Sequence, residues 1–322
     1  MPVTSSAQRS SQSAPFDIAP ADAALGAEVR HLDLNALDDA TFSLLHHAWL
    51  DHVLLVFRGQ SLSAGDLVTL VKRFGKPVTS ATLHQRGLEE RTANRLFDLP
   101  PEVTVVTNLQ ENGKPVGILG DGEIVWHSDF SFKEAPTAAR MLVAKEIPPQ
   151  ERGGHTSFLN CYAAYDALPA STKKRISGLT IKQANIIDTA MKLRPGASLD
   201  DDIRYTPGPS HPIISTHPET GCNMLFLGRR HGAYVNGYSL ADSEALLDEL
   251  WAHATQPRFS YEHHWAVGDV VVWDNRATLH RRDAFDPACR RVLYAAQVEG
   301  HRPYEAPDAL QRPPHPRFSS KD

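Results

Sequence analysis

Ile124-Val125-Trp126-His127-Ser128-Asp129-Phe130-Ser131-Phe132 is the stretch on which the reading of this chain turns. Apolar and polar residues partly alternate along it, as on a strand that runs into a turn. On a strand, residues i and i+2 point to the same face, so His127 and Asp129 can reach one ion. A second stretch, Gly268-Asp269-Val270-Val271-Val272-Trp273-Asp274-Asn275-Arg276, reads as a turn, a buried β-branched strand and a polar turn, with His280 just beyond. Two strand ends can thus converge on one metal.

Two imidazoles and one carboxylate make a complete facial set for non-haem Fe(II), with three coordination positions left open. A bare His-x-Asp carries little by itself. The chain has 16 histidines, and His31-Leu32-Asp33 repeats the spacing in what reads as a surface segment of the N-terminal lobe. Strand context separates the two.

The 322 residues suffice for one elaborated domain or two. A hydrophobic content of 41%, 22% charged residues and a formal charge of −5 describe an ordinary soluble protein. A net acidic chain is a poor binder of nucleic acid, and no apolar run reaches the roughly 20 residues of a membrane span. Residues 1–14 are Ser/Gln-rich without a hydrophobic core and read as a disordered lead-in, not a signal peptide. Cys161, Cys222 and Cys289 are odd in number and scattered, which points to reduced thiols, a cytoplasmic location and no zinc site.

Along the chain, Asp38 or Asp39 caps a helix carrying Phe42, Leu45 and Trp49, and Val53 to Phe57 reads as a buried strand. Ser63-x-x-Asp66 opens a second helix that Gly75 stops. Residues 79–122 break the pattern around one strand, Val103 to Asn108, and a loop region of that length before the His127 strand reads as a lid. From Ala138 the segments are mostly short strands, among them Pro212 to Thr216 and Val292 to Val298. One helix, Ser239 to His253, interrupts them. Short strands with polar turns point to a sandwich or jelly roll, mainly β with α insertions. Residues 15–303 form one domain on this reading, and 304–322 a loose tail rich in Pro and Arg.

Several further motifs accompany the histidines. In order they include Leu25-Gly26-Ala27-Glu28, Arg73-Phe74-Gly75, Trp126-His127-Ser128-Asp129, Gly153-Gly154-x-Thr156, Trp273-Asp274-Asn275-Arg276 and Arg290-Arg291. With these, from about Ile18 to Gly300, the chain resembles the taurine dioxygenase / 2,4-dichlorophenoxyacetate dioxygenase family of Fe(II)- and 2-oxoglutarate-dependent oxygenases. The resemblance implies a double-stranded β-helix (jelly-roll, cupin-like) core and a homo-oligomer, dimer or tetramer. It makes His127, Asp129 and His280 the iron ligands, assigns Thr156 and Arg291 to the distal carboxylate of 2-oxoglutarate, and sets Trp273 against that cosubstrate. Arginine suits the task, since its planar fork matches a carboxylate and stays charged when buried. An ordinary surface ion pair for Arg291 and a plain core role for Trp273 are the competing readings. The implied reaction uses O2 and 2-oxoglutarate to hydroxylate a C–H bond, releasing succinate and CO2. The related halogenases lack the carboxylate that Asp129 supplies here.

The substrate is less legible. Sulfonate-using relatives carry a second arginine four residues after the cosubstrate arginine, where this chain has Ala295. Glu123 suits an amine or hydroxyl substrate, or is a solvated loop residue. Arg229, Arg230 and His231 border the pocket and supply an anion-binding charge, or form an exposed basic turn. His84 and Tyr294 are further pocket candidates. A small polar organic acid or amino-acid-like substrate is the leading reading. Cleavage of a sulfonate or aryloxyalkanoate, desaturation, and a metal-binding jelly roll without activity are the alternatives.

Overall fold

The computed structural model describes residues 15–79, 97–194, 196–198 and 202–318, so the expected disordered lead-in and His84 lie outside the described residues. Two sheets build the core. The larger has eight strands in the spatial order Asp17–Pro20, Ala27–Arg30, Leu54–Phe57, Val270–Asp274, Ala139–Glu146, Val292–Gln297, Thr104–Thr107 and Ile118–Leu119. The smaller has four, in the order Ser260–His263, Thr156–Asn160, Thr278–Arg282 and Ile124–His127. From Leu54–Phe57 to Thr104–Thr107 in the larger sheet, and throughout the smaller one, neighbours in space are distant in sequence, which is the winding of a double-stranded β-helix.

The central strand shows why the larger sheet sits where it does. Val270 to Asp274 is buried throughout, as expected of a strand covered on both faces. Val271 and Trp273 face the jelly-roll interior, alongside Phe158 and Leu279 of the smaller sheet. Val270 and Val272 face the other way, onto Leu45 and Trp49 of the helix Asp39–His52 and Leu67 and Leu70 of the helix Ala64–Phe74. Each such side chain removed from water contributes roughly 1.5–3 kcal/mol. Local chemistry sets the helix ends. The Asp38 carboxylate accepts the Thr41 N–H at 2.7 Å, and Ser63 and Asp66 form a reciprocal capping box.

The strand expected at Val103 to Asn108 within the 79–122 region is present as Thr104–Thr107, wholly buried and paired with Val292–Gln297. Two expectations need correction. The strand expected over Pro212–Thr216 is two strands: Ser210–Pro212 pairs with Thr180–Gln183 and Ile214–Thr216 with Asn223–Leu225. Pro212 has no N–H with which to continue the first ladder. The expected loose tail is packed down over residues 304–318. There Ala306, Ala309 and His315 are buried, the His315 ring lies 4.7 Å from Tyr162, and Thr216 and Tyr304 share a backbone hydrogen bond of 2.7 Å. Proline-rich composition hid a few well-placed apolar and aromatic contacts.

Candidate active site

His127 and His280 lie directly opposite each other on neighbouring strands of the smaller sheet, and the pairing bulges just beyond, between His280 and Arg282. Their rings stand 4.1 Å apart, centroid to centroid. Asp129 follows on the turn, ahead of Phe130 in a left-handed conformation. The His127 Nδ1–H donates to the Val125 carbonyl at 2.8 Å, which leaves the Nε2 lone pair free. That nitrogen is 3.6 Å from one carboxylate oxygen of Asp129, and His280 Nε2 is 3.9 Å from the other. Ligand atoms of all three residues fall within 4.8 Å of one another, and among the described residues no other such cluster of His, Cys, Asp or Glu occurs.

The charges suit a cation. Burial and the neighbouring His127 hold the His280 imidazole well below its usual range, hence neutral. Burial alone would raise the Asp129 carboxyl, but the Arg140 guanidinium, paired with it directly, overcomes this and keeps it ionised well below the carboxylate range. Asn275 locks the turn, accepting the Asp129 N–H at 2.9 Å and donating to the carbonyls of Asp129 and Thr137. Two imidazoles and one ionised carboxylate, their ligand atoms gathered together, fit Fe(II).

Beside this centre lies a second incomplete arrangement. Arg291 is 2% exposed, yet among the described residues its guanidinium makes one long hydrogen bond, 3.4 Å to the Gly154 carbonyl, and its Nε has no partner. Burial and the nearby Arg282 cation hold its pKa well below the arginine range. The approach depends on Gly153 and Gly154, both at positive φ; a side chain on Gly153 would meet the Ala284 carbonyl at 2.5 Å. Two residues on, the Thr156 hydroxyl accepts the Trp265 indole N–H at 2.9 Å, so its own proton remains to be donated. Trp273 is fully buried with its ring 5.1 Å from His280 and its indole nitrogen unpartnered. Arg290 and Arg281 are the surface ion-pair arginines here, with Glu146 and Asp283. A buried cation of this kind, short of an anion, fits the distal carboxylate of 2-oxoglutarate.

A cleft of about 1040 Å³ opens onto His127, Asp129 and Arg140. Its walls are residues 117–123, Phe130, Phe132, the segment Asp188 to Lys192 with Arg194, and Arg229. Glu123 stands exposed on its rim. Arg229 is 4% exposed and borders the cleft; burial lowers its pKa to about 10, which leaves it cationic at neutral pH. Its neighbours do not join it. Arg230 is bound to Glu244 and Asp248 of the helix Leu240–Ala254, and His231 is exposed; neither borders the cleft. Tyr294 points to the helix-covered side, its ring 6.4 Å from Phe97, because strand alternation sends Leu293 and Ala295 inward instead.

Four residues of the site were not singled out from the sequence. Arg140 carried a signal, since it is a charge inside the apolar run Ala138 to Ala144. Asn275 belongs to a quoted motif but shows its clamp only in three dimensions. Trp265 and Arg194 had no local signal.

The profile described as taurine catabolism dioxygenase TauD, TfdA family, matches residues 17–297. An (S)-phenoxypropionate/alpha-ketoglutarate-dioxygenase of Delftia acidovorans is 32% identical over 289 residues, 88% of this chain and 95% of that protein. An alpha-ketoglutarate-dependent 2,4-dichlorophenoxyacetate dioxygenase of Burkholderia sp. (strain RASC) is 35% identical over 77% of this chain and 82% of its own. Among solved structures, a taurine dioxygenase from Burkholderia xenovorans superposes with a TM-score of 0.70 at 29% identity, covering 91% of this chain and 94% of that one. The chain belongs to the TauD/TfdA family of Fe(II)- and 2-oxoglutarate-dependent dioxygenases.

Proposed function

We propose that His127, Asp129 and His280 hold Fe(II), that Arg291 and Thr156 hold the distal carboxylate of 2-oxoglutarate, and that the enzyme oxidises a C–H bond of a small organic acid. The observation that carries this reading is Arg291, a buried guanidinium with no carboxylate partner among the described residues. Such a group costs several kcal/mol unless an anion joins it. Iron, when bound, couples decarboxylation of 2-oxoglutarate to attack on the substrate, chemistry that no side chain performs.

The chain's own groups do the rest. The Val125 carbonyl accepts from His127 Nδ1 and so orients the ring with Nε2 toward Asp129, while Arg140 holds Asp129 ionised. The Thr156 hydroxyl proton and the Arg291 fork aim the cosubstrate. Buried Trp273 and Phe158, whose rings meet edge to face at 5.1 Å, exclude water behind it.

Hydroxylation of an organic acid is the leading outcome. Where the attacked carbon bears oxygen the product falls apart, and the likeness to phenoxypropionate and dichlorophenoxyacetate dioxygenases favours this aryloxyalkanoate cleavage as the second reading. The inward, buried Ala295 in place of a second arginine speaks against taurine. Residues 79–122 serve as the lid, its described part bordering the cleft at Gly117 to Gly122, and Glu123 on the rim receives an amine or hydroxyl group of the substrate. Three free thiols fit a cytoplasmic enzyme, and the family likeness supports a homo-oligomer, which light scattering would measure. Succinate release from 2-oxoglutarate, stimulated by an added organic acid, tests the function; no release with any acid, from protein that binds iron, would overturn it.

A further inference from the structure

One wall of the cleft carries charge that the iron and cosubstrate sites do not use. The chain from Ile186 to Arg194 folds back on itself, with the Arg194 N–H bound to the Ile186 carbonyl at 2.9 Å. The Asp188 carboxylate holds its turn by accepting the N–H groups of Ala190 and Lys192, each at 2.9 Å. The Thr189 carbonyl then accepts the Val125 N–H at 3.1 Å, so this hairpin docks on the edge of the strand that carries His127. From the other side Arg229 bridges to His127 itself. Both arginines face Phe132, their guanidinium carbons 5.2 Å (Arg194) and 4.9 Å (Arg229) from its ring centre.

Neither cation makes a direct ion pair among the described residues; the Asp188 carboxylate, held in its own turn, acts on both from beyond contact distance. Arg229 donates to the carbonyl of Ile187 at 2.6 Å and weakly to that of Ala184. Its Nε and that of Arg194 are buried with no partner among the described residues. Two like charges over one ring repel, Asp188 offsets part of this, and an anion in direct contact with both relieves the rest. The remaining wall is partly apolar, with Leu109, Ile118, Leu119, Val125 and Phe130 bordering the same cleft.

We propose that Arg194 and Arg229, set against Phe132, form the docking site for the anionic head of the substrate, whose remaining body lies along the partly apolar wall. This deepens the oxygenase reading and rests on it for the identity of the ligand as substrate. The positive charge absent at Ala295 is thereby supplied from the hairpin and strand on another wall of the cleft. An acid held here lies on the strand neighbouring His127, so the head group is anchored close to the metal centre.

The test is calorimetric binding to the Fe(II)- and 2-oxoglutarate-loaded protein without oxygen. The probes are phenoxyacetate and hexyl sulfate, each against its neutral counterpart, 2-phenoxyethanol and 1-hexanol. Wild type should bind at least one anion tenfold or more tightly than its neutral counterpart, and which anion prevails distinguishes a carboxylate from a sulfate substrate. Arg194→Met should weaken that anion tenfold or more and leave 2-oxoglutarate affinity unchanged. Arg229→Lys, which keeps the charge where Arg229→Met risks the fold, should weaken it less than Arg194→Met. Equal binding of anions and neutrals by wild type, or unchanged anion affinity in Arg194→Met, would overturn the proposal. Loss of 2-oxoglutarate binding by wild type would instead sink the oxygenase reading; the same variants and probes on metal-free protein would then still decide the anion site.

Discussion

Arg276 and Arg291 are both withdrawn from water, and they resolve that burden in opposite ways. Arg276 binds Asp274 through two nitrogens, at 2.9 and 2.5 Å, and Glu219 at 2.9 Å. Asp274 in turn accepts from His217 at 3.0 Å. Around Arg291 there is one long contact to a carbonyl and the face of Phe285 at 5.8 Å. The first is a closed network that holds the strand end Asp274 against the turn His217 to Gly221. The second is an open one. A buried cation that its own chain leaves unpaired marks the place where the chain expects a partner from solution.

Replacing each arginine sharpens this contrast. Arg291→Met should cost a hundredfold or more in 2-oxoglutarate affinity, about 3 kcal/mol for a desolvated ion pair. The ligand-free protein should lose no stability, because an uncompensated charge has been removed; calorimetry and thermal melting read the two effects. Arg276→Met should do the reverse, destabilising the fold by about 3–5 kcal/mol through the stranded Asp274 carboxylate. Denaturant titration measures this, and adding Asp274→Asn should restore part of the loss.

Acid provides a subtler test. Burial would raise the Asp274 carboxyl, but Arg276 and His217 hold it well below the carboxylate range. A carboxyl with a depressed folded-state pKa stabilises the fold above its unfolded value, near 4, and that contribution is lost as pH falls through the folded value. In Arg276→Met the acid limb of the stability curve should therefore move to higher pH. An unmoved limb would mean Asp274 does not depend on this guanidinium.

The smallest effect belongs to Asp166, a carboxyl intermediate between the two arginines. Burial outweighs the nearby Lys173 and pushes its pKa up to about 6. Stability from this group is present below about pH 4 and is lost as pH rises through 6. Asp166→Asn should thus be more stable than wild type at neutral pH by about 1 kcal/mol, less than a fully buried group would give because the side chain keeps contact with water. The gain should vanish near pH 4.

What could be read in advance followed from local chemistry. Helix caps at Asp38, Ser63 and Ser239 depend on three or four adjacent residues, and the structure has them. His127-x-Asp129 differs from His31-x-Asp33 in its strand context. Among the described residues His31 makes a surface contact to Asp17, and Asp33 caps a short 3-10 turn. Features set by distant pairing were not legible. Val292–Gln297 shifts register between Val292 and Leu293, and such a shift decides whether Tyr294 or Ala295 meets the interior. Arg194 reaches the cleft only because a hairpin docks on a strand more than sixty residues earlier. The tail from 304 onward gains its order from contacts with Tyr162 and Thr216, which no composition count reveals.

The most direct test of the central claim is anaerobic visible absorption of the protein titrated with Fe(II) and then with 2-oxoglutarate. Chelation of the cosubstrate by an iron held on His127, Asp129 and His280 gives a weak charge-transfer band. The expected outcome is that this band forms in wild type and is absent from His127→Ala. Iron binding without any band in wild type, or an undiminished band in His127→Ala, would contradict it.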